Sequence, residues 1–182
     1  MYEKKILIGT DTTSGIAPQI LDAIAEASHI KTLPYGNDIV TEECKNIVKN
    51  IFEKSDLEII PMVSGTASNS LALSSFLRSY GSVICHSEAH INKDEGGAPE
   101  FFSGGGKLLT ISNSSGRIKA NDLLKKIDEI NFKRKSASLI SGVSITQLAE
   151  NGTLYTLDEI EAISEICKKN NLYLHMDGAR FS

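Results

Sequence analysis

Three polar clusters carry most of the chemistry open to this 182-residue chain. Ser64-Gly65-Thr66 lies between an apolar run and a segment of helical period. At a helix N-terminus, free backbone N–H groups, the helix dipole and hydroxyls converge on an anion, for which phosphate is the obvious guest. The plainer reading is that Ser64 only caps the helix. His86-Ser-Glu-Ala-His90 comes next, followed by Asp94-Glu95-Gly96-Gly97. Histidines four apart on one helical face could hold a metal ion. No glutamate follows the first histidine as in zinc proteases, however, so no metal is expected. Capping or solvated histidines, or an imidazole packed flat on a planar ligand, remain open. The third cluster is Asp177-Gly-Ala-Arg180. A carboxylate at a strand end can pair with a protonated ring nitrogen, and an arginine offers a bidentate fork to a carboxylate or phosphate. The alternative is a structural ion pair.

The elements that must position these clusters follow from the apolar pattern. Leu57–Val63 reads as a strand, irregular or edge-like because of Pro61. A helix opens at Ser64 and runs to about Tyr80, with Gly81 as its stop. Strands are expected at Ser82–His86, Lys107–Ile111, Ala137–Ile145 and Leu172–Met176. Between them, Asn121 caps a helix with Leu123, Leu124, Ile127 and Ile130 on one side, and Thr156-Leu-Asp-Glu159 is a capping box. Strand and helix alternate, which predicts an α/β fold: a mostly parallel sheet flanked by helices, joined by right-handed crossovers. Ligands of such sheets bind beyond the carboxyl ends of the strands, where all three clusters fall. An anion cup, a flat-packing histidine, a ring-nitrogen partner and a carboxylate fork are together the parts that pyridoxal 5′-phosphate requires.

The first fifty residues look different and are expected to form a helical arm, with residues 51–182 forming the cofactor-binding domain. Ile6–Ile8 leads into polar Gly9–Gly15, and Pro18 opens an amphipathic helix through Ala27. A second helix begins at Thr41, with Cys44, Ile47, Val48, Ile51 and Phe52 on its expected buried face.

Composition narrows the class of function. The chain is 41% apolar and 23% charged, an ordinary globular composition. A net charge of −4 gives no diffuse positive field, so neither nucleic acid nor an anionic membrane is expected as a partner. Three widely spaced cysteines, without a C-x-x-C pair, read as reduced thiols in a cytoplasmic protein.

Read together, several runs resemble the low-specificity threonine aldolases of the β-eliminating lyase group. They are Ser64–Leu73, Cys85–Ile91, Asp94–Phe102, Ser144–Gln147 with Glu150–Tyr155, and His175–Phe181. The resemblance covers nearly the whole chain, and His-Met-Asp-Gly-Ala-Arg is its most specific piece. It implies the aspartate-aminotransferase-like fold, pyridoxal 5′-phosphate as cofactor, and cleavage of L-threonine or L-allo-threonine to glycine and acetaldehyde. Ser64, Gly65 and Thr66 would hold the phosphate, His90 would stack on the ring, Asp177 would pair with the ring nitrogen, and Arg180 would take the substrate carboxylate. Thr10 stands where the family often has serine before an aspartate, and its equivalent hydroxyl is assigned to substrate binding. The base is either His90 or an ordered water. The resemblance further implies a homo-oligomer, a dimer or tetramer, with Tyr35–Asp38 reaching toward a neighbouring subunit. The family's Schiff-base lysine lies a few tens of residues beyond the Asp-Gly-Ala-Arg motif. No lysine here has that context, so the chain is expected to be an N-terminal part that is inactive alone. Another lyase acting on β-substituted amino acids and a non-catalytic phosphate-binding module are the rival readings.

Overall fold

The computed structural model describes residues 14–132 and 139–181. The apolar Ile6–Ile8 run, the Gly9–Thr12 segment with Thr10, and the first residues of the strand expected from Ala137 lie outside them. The chain divides into two compact units, Met1–Ile60 and Pro61–Ser182.

In the first unit, α1 (Pro18–Ala27) starts at its proline, whose missing N–H costs nothing in a first helical turn. α2 (Ile39–Ile51) starts two residues earlier than expected, because Asp38 rather than Thr41 is its cap. One Asp38 carboxylate oxygen accepts from Thr41 N at 2.9 Å and the other from Thr41 Oγ1 at 2.7 Å. These hydrogen bonds hold the Asp38 carboxyl below its ordinary range. The apolar stripe of α2 is not buried as expected: Ile47 is 59% and Ile51 70% exposed, and no described residue of this unit is buried. Helical spacing shows that a face is apolar; it does not say that the same unit supplies a partner.

The second unit is built on a four-stranded sheet in the order β2-β1-β3-β4, parallel throughout. Its elements are α3 (Gly65–Ser74), β1 (Gly81–His86), α4 (His90–Lys93), α5 (Ala98–Phe102), β2 (Lys107–Ile111), α6 (Ala120–Phe132), β3 (Leu139–Thr146), α7 (Leu157–Lys169) and β4 (Tyr173–Asp177). The central β1 is buried along its whole length. Its alternation assigns the two faces of the sheet. Ile84 packs with Leu123 and Ile127 of α6 and Ile163 of α7, whereas Val83 and Cys85 pack with Leu73 of α3 and Ile91 of α4. Helices therefore cover both faces, as a buried parallel sheet requires. Burial pushes the Cys85 thiol up to about 12 and that of Cys167 up to about 11, so neither is a nucleophile near neutrality.

Three further expectations need correction. Leu57–Val63 forms no strand, since Pro61 lacks the N–H that a ladder needs and no strand among the described residues pairs with the run. The helix from Ser64 ends at Ser74 rather than near Tyr80, and a turn carries Phe76 and Leu77 back onto the Leu73 carbonyl. On α6, Leu124 points away from buried Leu123 and Ile127 and is 42% exposed. The capping box forms as its spacing predicts. Thr156 Oγ1 accepts from Glu159 N at 3.2 Å, and Glu159 Oε2 accepts from Thr156 N at 2.9 Å. No described helix is long and apolar enough to cross a membrane.

β3 and β4 approach closely at Gly142, where a Cβ would lie 2.7 Å from the Tyr173 carbonyl oxygen and 2.8 Å from Phe76 Cε2. Tyr173 and Phe76 are themselves stacked, with centroids 4.9 Å apart, and have little freedom to yield. Gly142→Ala is expected to cost about 1–3 kcal/mol, as overpacking does. Urea unfolding checks this, and an unchanged midpoint would show that the sheet accommodates the methyl group.

Candidate active site

β4 ends in Asp177, only 8% exposed, and the main-chain ladder holds it there through Gln147 N donating to its carbonyl at 2.9 Å. One carboxylate oxygen, Oδ1, accepts from Ala179 N at 3.1 Å within the following turn. The other, Oδ2, accepts from Asn69 Nδ2 at 2.9 Å. Asn69 belongs to α3 and is one helical turn beyond Gly65, roughly 6 Å along the axis. The N-terminus of α3 therefore lies beside the carboxyl end of β4, and Ser64, Gly65 and Thr66 share a locale with Asp177.

Asn69 Nδ2 also donates to Glu95 Oε1, at 2.7 Å, and His90 Nδ1 lies 3.0 Å from that same oxygen. One ligand atom from each of His90, Glu95 and Asp177 lies within 4.8 Å of the other two. Glu95 is 6% exposed, whereas the His90 side chain is 36% exposed and reaches the surface. The Glu95 hydrogen bond is the main reason that the His90 imidazole is more basic than usual, and partial burial opposes it. Gly96 and Gly97, at φ +58° and +79°, turn the chain directly after Glu95 in a conformation that favours glycine.

His86 and His90 do not act as a pair. His86 ends β1, where Glu88 N donates to its Nδ1 at 3.1 Å and Asn113 N lies 3.3 Å from its Nε2, while His90 opens α4. The four-residue spacing that suggested a shared helical face spans a strand end and a turn instead. His86 therefore holds the segments after β1 and β2. Ser64 does cap α3, accepting from Ala67 N at 3.2 Å. Beside it a Cβ on Gly65 would meet nothing within 4 Å, so the helix N-terminus faces open space. Arg180 does not pair with Asp177. Its Nη2 donates to both Glu150 carboxylate oxygens, at 2.9 and 2.7 Å, and its Nη1 to the Leu148 carbonyl at 3.0 Å.

Asn69 and Glu95 were not among the residues nominated from the sequence. Asn69 carried a faint signal, a poor helix former in the interior of a helix and one turn from the anion cup. Glu95 carried only its place beside two glycines.

The residues from 8 to 182 match the family model described as beta-eliminating lyase. The chain belongs to the beta-eliminating lyase family. It is 41% identical over 185 residues to a low specificity L-threonine aldolase of Pseudomonas sp. (strain NCIMB 10558), covering 100% of this chain and 52% of that relative. A Leishmania major threonine aldolase structure superposes with a TM-score of 0.86 at 31% identity, covering 93% of this chain and 48% of that one. A histidinol-phosphate aminotransferase of Sinorhizobium meliloti, solved in complex with pyridoxal-5′-phosphate, shares the fold at a TM-score of 0.64 and 16% identity. This beta-eliminating lyase chain thus has the fold of aspartate-aminotransferase-like enzymes, and it spans about half the length of the relatives it matches.

Beside the cluster, His175 on β4 pairs across the sheet with Ser144 on β3, its Nδ1 2.9 Å from Ser144 Oγ. Burial makes its imidazole less basic than usual, and the nearby Asp177 charge opposes this. A base whose folded pKa is depressed leaves the unfolded chain to take up the proton first. Stability should therefore fall as the pH drops through the ordinary histidine value near 6.5, with a slope of at most about 1.4 kcal/mol per pH unit. Urea midpoints from pH 8 to pH 5 should show this loss in the parent chain and a flatter profile in His175→Gln. Identical profiles would show that His175 does not resist protonation.

Proposed function

We propose that the chain supplies the cofactor-binding part of a pyridoxal 5′-phosphate-dependent aldolase that cleaves L-threonine or L-allo-threonine to glycine and acetaldehyde. The observation that carries this reading is the Asp177 carboxylate: buried, hydrogen-bonded among the described residues to the neutral N–H donors of Asn69 and Ala179, and within 4.8 Å of a histidine on the same site. A buried anion needs a cationic or strongly hydrogen-bonding partner. The protonated ring nitrogen of pyridoxal phosphate is such a partner, and the open space over Gly65 at the N-terminus of a ten-residue helix suits its phosphate. When bound, the cofactor supplies the electron sink for Cα–Cβ cleavage.

The roles of the chain's own residues follow. Ser64, Gly65 and Thr66 hold the phosphate, His90 lies flat on the ring, and Asp177 keeps the ring nitrogen protonated. Arg180 exchanges Glu150 for the substrate carboxylate, a swap of one carboxylate for another on the same guanidinium nitrogen, Nη2. Thr10 contributes a hydroxyl to substrate binding. Either His90 or an ordered water accepts the proton of the β-hydroxyl. Residues 1–50 act as an arm and residues 51–182 as the cofactor domain. The protein works as a homo-oligomer in the cytoplasm, where its cysteines stay reduced.

Assay of the complete protein with pyridoxal 5′-phosphate is expected to release acetaldehyde from L-threonine. Asp177→Ala should lower turnover by at least about a hundredfold, the scale of losing an electrostatic partner in a transition state. Near-normal turnover in a folded Asp177→Ala protein would contradict the assignment. His90→Phe keeps a flat ring and should bind the cofactor more tightly than His90→Ala; equal affinities would remove the stacking role.

Association is a separate expectation. Ile20, Leu21 and Ile24 of α1, and Ile39, Val40, Ile47 and Ile51 of α2, are exposed apolar side chains of the kind that subunit contacts cover. Light scattering at rising concentration should report dimers or tetramers, and a mass that stays at 19.7 kDa would contradict the proposed oligomer.

A further inference from the structure

We propose that Glu95 and Asn69 are positioning residues that join His90 and Asp177 into one hydrogen-bonded array: Glu95 anchors the imidazole through Nδ1, and Asn69 ties that anchor to the Asp177 carboxylate. This rests on the cofactor reading above for the identity of the ligand, and on the observed geometry for the array itself.

Both donor hydrogens of the Asn69 amide are committed to carboxylates, at 2.7 Å to Glu95 Oε1 and 2.9 Å to Asp177 Oδ2. A planar amide fixes the angle between its two N–H bonds, so the two acceptors cannot shift independently. Glu95 Oε1 takes the Asn69 hydrogen and also faces His90 Nδ1 at 3.0 Å. Its Oε2 is buried and has no hydrogen-bond partner among the described residues. The cluster thus draws on α3, the start of α4, the turn before α5 and the end of β4. A carboxylate whose side chain is wholly buried is costly unless it is held for a purpose. Here its Oε1 meets His90 directly and Asp177 through the shared Asn69 amide.

The chemical consequence is a defined tautomer. With Nδ1–H donated to Glu95, a neutral His90 carries its lone pair on Nε2, a ring atom with no hydrogen-bond partner among the described residues. That atom can accept a proton from substrate or from a water. Among the described residues, the acidic groups facing the imidazole are Glu95 in direct contact, Asp94 beside it, Glu150 from the segment after β3, which is itself paired with Arg180, and Asp177 at the end of β4. Glu95 does for His90 what a buried carboxylate does for the histidine of a hydrolytic triad, fixing orientation and supporting the charge that forms.

The test begins with the cofactor-free chain and nitrogen-detected NMR of its four histidines, His90 being assigned by its loss in His90→Gln. The expected result is a neutral His90 in the Nδ1–H form, with a titration midpoint above 6.5 that Glu95→Gln lowers. An Nε2–H tautomer, or a midpoint that Glu95→Gln leaves in place, overturns the anchor. Should Glu95→Gln fail to fold, the parent tautomer decides the point by itself. The second measurement is pyridoxal 5′-phosphate affinity in the complete protein and in its Glu95→Gln, Asn69→Leu and double variants. Each single change is expected to weaken binding about tenfold or more, and the double to weaken it by much less than the product. Losses that multiply would show two independent residues and overturn the array. A complete protein with the expected tautomer and titration but no affinity for pyridoxal phosphate would refute the cofactor reading while upholding the anchor.

Discussion

Two buried carboxylates within one cluster are the constraint around which this site is built. Glu95 and Asp177 present oxygens within 4.8 Å of each other, and at an effective dielectric of 20 two unit charges so placed repel by about 3 kcal/mol. Three local features offset that cost: the Asn69 amide donates to both, Ala179 N donates to Asp177, and the His90 imidazole meets Glu95. Each feature comes from a different stretch of chain. The fold must therefore bring α3, α4 and the end of β4 together before either carboxylate is tolerable.

The parallel sheet does this by its handedness and order. With β1 between β2 and β3, and β4 beside β3, the carboxyl ends of the strands open to the same side, and crossovers return through helices on both faces. The Val83 and Cys85 face seats α3 through Leu73, which sets the helix whose first turn carries Ser64, Gly65 and Thr66 and whose second carries Asn69. Packing on the opposite face, through Ile84, Leu123 and Ile163, fixes α6 and α7 and so the path into β4. A single Gly-to-Ala change at Gly142 presses on the same β3–β4 contact that aligns Ser144 with His175 and Thr146 with Asp177. Stability and site geometry are thus linked through the register of those two strands.

Much of this was legible in the sequence because local signals agreed with the global fold. Thr156 and Glu159 made a capping box at the expected place, and the strand ending at Asp177 put its carboxylate where ligands of parallel sheets bind. Local signals failed where the outcome depended on a partner. The Leu57–Val63 run is apolar enough for a strand, but pairing needs a neighbour and an N–H that Pro61 lacks. The stripe on α2 is amphipathic in sequence and exposed in the unit that contains it. Asn69 and Glu95 escaped for a related reason: Asn69 meets Glu95 across 26 residues and Asp177 across 108, and no periodicity encodes such a meeting.

The claim on which the account turns is that the Asp177 carboxylate holds a protonated ring nitrogen. The most direct measurement is the nitrogen NMR signal of pyridoxal 5′-phosphate labelled at its ring nitrogen, bound to the parent chain and to Asp177→Asn. The account predicts a protonated nitrogen in the parent at neutral pH and an unprotonated one in the variant. Bound cofactor whose ring nitrogen is unprotonated in the parent, or equally protonated in both, would contradict it.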